Sequence, residues 1–310
     1  MTTVSSKGRW HKPQDFDAGP RIGSVAGMGA ILSIQSHVAY GHVGNSAVVF
    51  ALQRLGREVW PIDTVQFSSH AGYPGFRGEA FSPALISQCV AGLDAIGQLS
   101  RCEGVVTGYL GQPEMGQAAL AAVAVVRARN AEAAYACDPV IGDEGRGIYV
   151  RDGVPEFFRD RAISAATIVS PNAFELAWLT GRACATRAEA LAALQSLRAK
   201  GPTVAFVTSL RLEDTPADAL DLIAADADGA WRVRTPRLPI SVNGAGDLVS
   251  ALFLHEWLGR RDTAEALASA SARVYAVVAA TALAGARELQ LIAAQDALAN
   301  PPLRFPPERL

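Results

Sequence analysis

From about Ala30 to Leu210 the chain alternates short β-prone runs with longer helix-prone ones, and this beat constrains the fold more than any other feature. Strands separated by helices are joined by crossovers and lie parallel, which gives an α/β class with a central, mostly parallel sheet flanked by helices. "AILSIQ" opens the series. "NSAVVFALQRLG" reads as a helix stopped at Gly56, and "EVWPIDTVQF" as a strand in which Pro61 argues for an edge position or a bulge. The pattern continues with a helix in "PALISQCVAGLDAIG", strand and loop in "GVVTGYLG", a helix in "PEMGQAALAAVAVVRARN" and a strand in "AAYACDPV". "TIVSPN", "TRAEALAALQSLRAK" and "TVAFVTSL" repeat it. Two alternating runs in "DALDLIAADADGAWRVRTPR" then flank Asp228-Gly229, a favourable two-residue turn, and predict a small antiparallel hairpin. Helices are expected to close the chain in "GDLVSALFLHEWLGR", "TAEALASASARVYAVVAATA" and "ELQLIAAQDALAN". With no linker-like shift in composition and no fixed-period repeat, residues 28–310 are expected to form one domain. Residues 1–27, polar and Gly/Pro-containing, read as a flexible extension.

Composition narrows the function. The 28 Lys and Arg against 30 Asp and Glu leave a formal charge of -2, too little asymmetry to point to nucleic acid or an anionic membrane. Small molecules are the expected ligands. Cys89, Cys102, Cys137 and Cys184 are widely spaced and form no C-x-x-C pair, which suggests neither a zinc cluster nor a disulfide framework. The N-terminal stretch lacks the apolar core of a signal peptide, and no apolar run is read as reaching the roughly 20 residues of a membrane-spanning helix. A cytoplasmic setting is expected.

In open parallel sheets ligands gather beyond the carboxyl ends of the strands. Tyr109, Asp138, Asn172, Thr208 and Ser209 all follow strand-like runs, and Gly244-Ala245-Gly246-Asp247 opens a helix. Small residues there let backbone N–H groups converge on an anion at the positive end of the helix. A carboxylate beside such a site can take a proton from a hydroxyl as its oxygen attacks a γ-phosphate. Aspartate is equally at home in a first helical turn for purely structural reasons, so the motif alone leaves both readings open. The sequence holds no G-x-x-x-x-G-K-[ST] loop, so ATP chemistry would need a different cradle. After the first strand "SHVAYGHVGN" is a candidate substrate loop, or simply a capped turn.

"SIQSHVAYGHVGNSA", "WPIDTVQFSSHAGY", "GYLG", "CDPVIGD", "SPNAFE", "VTS" and "NGAGD", in this order and at these intervals, resemble the pyridoxal kinases of the ribokinase-like superfamily from Ile31 to about Asn300. The resemblance implies a three-layer ribokinase-like fold and an ATP-dependent phosphorylation of pyridoxal, and of pyridoxine or pyridoxamine, at the 5'-hydroxymethyl in vitamin B6 salvage. It implies Asp247 as base with Gly244, Ala245 and Gly246 as cradle, and Ser36, His70 and Tyr109 around the pyridine ring. Asp138 and Glu175 would serve Mg²⁺, with Asn172, Thr208, Ser209, Val242 and Gly246 along ATP. Residues 142–150 would be a flap that closes over both substrates. A homodimer is also implied, and a monovalent cation such as K⁺ is left open.

Three departures bear on the substrate. The family loop usually reads F-S-N-H-T-x-Y, whereas Ser69 and Ala71 stand here for the Asn and Thr. Ile148 occupies the flap position where some bacterial members carry a cysteine, so covalent trapping of pyridoxal is not expected. Ala245 replaces the commoner Thr or Val, a harmless change for a cradle made of backbone. Two alternatives follow: a kinase of hydroxymethylpyrimidine or another small alcohol, and a vitamer-binding protein without turnover.

Overall fold

The computed structural model describes residues 28–310; the expected extension at 1–27 lies outside the described residues. The first strand β1 (Ala30–Val38) leads into helix α1 (Asn45–Arg54), β2 (Val59–Phe67), the short β3 (Gly78–Ala80) and α2 (Ala84–Ala95). There follow β4 (Cys102–Thr107), α3 (Pro113–Arg129), β5 (Ala134–Cys137), and a two-residue ribbon of β6 (Gly142–Asp143) and β7 (Gly147–Ile148). Helix α4 (Val154–Phe157) runs through a π-turn into α5 (Ile163–Ala165), and β8 (Ile168–Val169), α6 (Ala173–Thr180), α7 (Arg187–Arg198) and β9 (Val204–Leu210) continue the alternation. The last part holds β10 (Ala219–Ala225), β11 (Ala230–Pro236), α8 (Ala245–Arg260), α9 (Thr263–Leu283), α10 (Gln295–Ala299) and β12 (Glu308–Arg309).

One sheet runs in the order β12-β11-β10-β9-β8-β5-β4-β1-β2-β3. Its middle is parallel, from β9 through β2, and antiparallel strands flank it at both ends. Successive residues of the central strands feed opposite cores, as a sheet covered on both faces requires. Tyr135 and Cys137 pack with α2, α3, α6 and α7, whereas Ala134 and Ala136 pack with α1, α8 and α9. The layers are therefore helix, sheet, helix. Pro61 lies where β2 has no partner on its outer side, because β3 pairs only Val65 to Phe67.

The chain leaves β1 toward β2 on one side and then crosses to β4 on the other. Loops after β1 and β4 therefore diverge and open a crevice, the position where α/β sheets bind ligands. The register between β1 and β2 slips between Gln35 and His37, a local irregularity that re-aims Ser36 at the crevice mouth.

Three expectations need correction. The hairpin forms, but Asp226 N–H donates to Gly229 O at 3.0 Å, so Ala227-Asp228 makes the turn and Gly229 closes it. The helix expected over 288–300 is restricted to α10, because Leu289 and Leu291 are drawn individually into the core and Glu288 is engaged elsewhere. Finally, α9 is 21 residues long with a mean hydropathy of 1.5, enough by length and composition to cross a bilayer. Here it lies on α8, β10 and β11, burying Leu267, Ala270 and Val277 against them.

Candidate active site

The carboxyl ends of the parallel strands open into a cavity of about 900 Å³. Ser36, His70 and Tyr109 line it together with Asp138, Asn172, Glu175, Thr208, Ser209, Val242 and the whole Gly244–Asp247 stretch. Tertiary structure thus brings every singled-out residue to one place.

Asp247 is the third residue of α8 and makes no capping bond to its own helix. Its Oδ2 instead accepts the Gly44 N–H at 2.8 Å, from the loop after β1. Burial pushes its carboxyl up to about 6, and the Gly44 N–H partly offsets this. Gly244 caps the helix with φ 86, and a Cβ there would collide with the His42 carbonyl oxygen, so only glycine lets the two loops touch. The first helical hydrogen bond is Leu248 N–H to Gly244 O. The amides of Ala245, Gly246 and Asp247 have no acceptor among the described residues and form the positive helix end.

On the β1 side, the buried Ser36 hydroxyl has no hydrogen-bond partner among the described residues and borders the cavity. Tyr109, at the end of β4, is half-buried, and burial raises its phenol. His70 Nδ1 accepts the Gly72 N–H at 3.0 Å, which assigns the ring proton to Nε2. Burial and then the Arg146 charge lower the His70 pKa, so the neutral ring is favoured near neutral pH.

On the β5 to β9 side, Ser250 Oγ donates to Asp138 Oδ2 at 3.0 Å, and Asp138 Oδ1 has no donor among the described residues. Burial, Glu175 and Asp247 all push the Asp138 carboxyl well above the carboxylate range. Asn172 and Glu175 form a reciprocal capping box at the start of α6. Glu175 Oε1 also accepts the Ile141 N–H at 2.8 Å, and Asn172 Nδ2 donates to Gly142 O at 2.8 Å. The pair therefore anchors the root of the β6–β7 ribbon, within the expected flap. Burial raises Glu175 to about 8 against these donors. Ser209 has φ 59, a left-handed backbone uncommon for a non-glycine residue and typical of functional loops.

A family model described as phosphomethylpyrimidine kinase matches residues 82–290. The pyridoxal kinase PdxY of Rubrobacter xylanophilus is 50% identical over 281 residues, spanning 90% of this chain and 97% of that protein. The pyridoxal kinase PdxY of Granulibacter bethesdensis is 48% identical over 279 residues, or 89% and 98% of the two chains. The chain belongs to the pyridoxal kinase family. The pyridoxal kinase of Leishmania donovani, solved in complex with ADP and pyridoxamine, superposes with a TM-score of 0.83 at 28% identity, covering 91% of this chain and 99% of that one.

Within this pyridoxal kinase framework the structure adds a clamp that sequence reasoning missed. Glu288 Oε1 accepts the Tyr73 hydroxyl at 2.6 Å and Oε2 accepts the His42 N–H at 3.2 Å. Arg287 stacks over the Tyr73 ring and donates to Gly72 O at 3.1 Å. Two consecutive residues after α9 thus tie the loop after β1 to the loop carrying His70. Their signal in the sequence is slight: an Arg-Glu pair after Gly285 reads as solvated surface. Ser250, one turn beyond Asp247 in α8, is buried, and the fold alone sets it against Asp138.

Proposed function

We propose that this chain transfers the γ-phosphoryl group of ATP to the 5'-hydroxymethyl of pyridoxal, and of pyridoxine and pyridoxamine, giving pyridoxal 5'-phosphate from pyridoxal. One observation carries the reading: a carboxylate held by Gly44 N–H stands at the mouth of an amide cradle, in the same cavity as Ser36 and Tyr109. Asp247 takes the alcohol proton, the oxygen attacks the γ-phosphorus in line, and ADP leaves. The amides of Ala245, Gly246 and Asp247 receive the charge that develops on the transferring group. Ser36 hydrogen-bonds the polar edge of the ring, Tyr109 lies on its face, and neutral His70 borders it. Thr208, Ser209, Asn172 and Val242 line the nucleotide side.

Mg²⁺ fits this donor set. Asp138 keeps one oxygen without a donor among the described residues, and the negative charges of Glu175 and Asp247 add to burial in raising its proton affinity, a field that a divalent cation would relieve. Glu175 spends both oxygens on backbone N–H groups and would reach the ion through water. Bound there, the ion would neutralise phosphate charge. The family resemblance supports a homodimer, and four widely spaced cysteines with no disulfide-like spacing support a reducing, cytoplasmic setting.

The test is turnover of ATP with Mg²⁺ and each of the three vitamers in parallel, with K⁺ exchanged for Na⁺ in a second series. Vitamer-dependent formation of the 5'-phosphate is expected, and its absence overturns the reading. Ser69 and Ala71, with the phosphomethylpyrimidine kinase family match, favour one second reading, phosphorylation of a hydroxymethylpyrimidine. It prevails if that alcohol turns over faster than pyridoxal.

A further inference from the structure

Gln35, the sixth residue of β1, is 1% exposed. Its Oε1 is a buried acceptor with no hydrogen-bond partner among the described residues. Such an orphan costs about 1–3 kcal/mol, so its orientation calls for a cause. The cause lies behind it. Asn45 Nδ2 donates to Asp63 Oδ1 at 2.7 Å and to Ile62 O at 3.3 Å, which assigns the Asn45 amide. Asn45 Oδ1 then accepts the Ser33 hydroxyl at 2.7 Å. With its proton committed, Ser33 Oγ can only accept from residue 35, and Gln35 Nε2 donates to it at 3.0 Å. A flipped amide would set two acceptors against each other, so the relay leaves Gln35 Oε1 facing away from Ser33.

The direction it faces is that of the base. A Cβ on Gly108 would stand 2.5 Å from Gln35 Oε1 and 3.3 Å from Asp247 Oδ1, so both oxygens border the small space that glycine leaves at the end of β4. Asp247 Oδ2 is held by Gly44, whereas Oδ1 has no partner among the described residues. Two acceptors so placed repel while neither carries a proton and attract once one does. We propose that Gln35 is a positioning residue for phosphoryl transfer, its carbonyl accepting a hydrogen bond, directly or across one water, from the O–H that Asp247 Oδ1 forms on taking the alcohol proton.

The step balances. The alcohol O–H bond breaks as Oδ1–H forms, and the oxygen's electron pair attacks phosphorus. The bond from phosphorus to the ADP oxygen breaks with its pair leaving on ADP. The proton rests between Asp247 and Gln35 until the product departs. The inference rests on the kinase reading above.

Two variants test it by different routes. Gln35→Met keeps the volume and removes the acceptor; Ser33→Ala leaves Gln35 intact but frees its amide to turn an N–H toward the carboxylate. Steady-state kinetics with pyridoxal should show kcat reduced about tenfold or more in both, with KM for ATP and vitamer within about twofold, and melting curves should confirm that both variants are folded at the assay temperature. A kcat within about threefold of the parent in either folded variant, or a loss carried by KM, overturns the inference. If both variants unfold, Gly108→Ala, which crowds Oε1 and Oδ1 from the other side, must show the same kcat loss at unchanged KM or the inference fails. A parent protein that phosphorylates no vitamer overturns the kinase reading first, and this inference with it.

Discussion

Asp247→Asn should abolish turnover and at the same time make the protein more stable. Burial raises the Asp247 carboxyl from an ordinary 3.8 to about 6, with the Gly44 N–H opposing. An acid whose folded-state pKa is raised favours folding only while protonated. Its unfolded counterpart ionises near 3.8 and stabilises the unfolded chain from there upward, until the folded group ionises near 6. The penalty is therefore absent below pH 3.8, grows between 3.8 and 6, and is complete above 6. At 1.36 kcal/mol per unit it reaches about 3 kcal/mol, a ceiling because the carboxylate faces a solvent-accessible cavity. Asparagine can still accept the Gly44 N–H through its amide oxygen, so little is lost in exchange. Denaturant unfolding of parent and variant at pH 8 and at pH 3.5, without nucleotide, measures the difference. A gain at pH 8 that vanishes at pH 3.5 is expected. Equal stability at pH 8, or a gain that persists at pH 3.5, would refute burial as the source of the raised carboxyl.

The same shift sets the activity profile: kcat/KM for pyridoxal should fall as pH drops through about 6, since only the carboxylate can take the proton, and a flat profile to pH 5 would exclude it. Glu288→Ala removes an acceptor shared by Tyr73 and His42. At about 1.5–3 kcal/mol for a hydrogen bond to a charged group it should raise the vitamer KM on the order of tenfold or more while leaving the ATP KM unchanged; Tyr73→Phe should do so more mildly. Gly244→Ala combines a left-handed backbone with a collision at His42, so turnover should fall sharply and stability by about 1–3 kcal/mol, read by activity and thermal midpoint. Asp138→Asn should raise the Mg²⁺ concentration needed for half-maximal rate, and removal of Mg²⁺ with EDTA should stop turnover in parent and variant alike.

The order of elements was legible because hydrophobic period and punctuation are local properties. The run around Gly56, the proline in β2 and the glycine cluster before α8 report on their own segments, and the structure agrees with them. Residue types with few structural excuses were legible too: Asp247 after two glycines, and Asp138 at a strand end. Their gathering beyond the carboxyl ends of the strands was expected from the order of elements, and their division between the two substrates only through the family resemblance. Less legible were elements of two or three residues, such as the β6–β7 ribbon, whose pairing is set by Glu175 and Asn172 from another element. The closing helix shrank to α10 because burial of Leu289 and Leu291 outweighed a helical period.

Sequence by itself determined the class of fold, the end of the sheet at which the cavity opens and the chemical types available there, since strand direction and helix polarity follow from chain order. Only tertiary structure decided which lone pair is free and which is spent. Gly44 holds one oxygen of Asp247, Ser250 holds one of Asp138, and backbone amides hold both of Glu175. These partners lie far apart in the chain. A hydrogen bond depends on fractions of an ångström across such separations, and that precision comes from the packing of both cores together, with no counterpart in the spacing of residues along one segment.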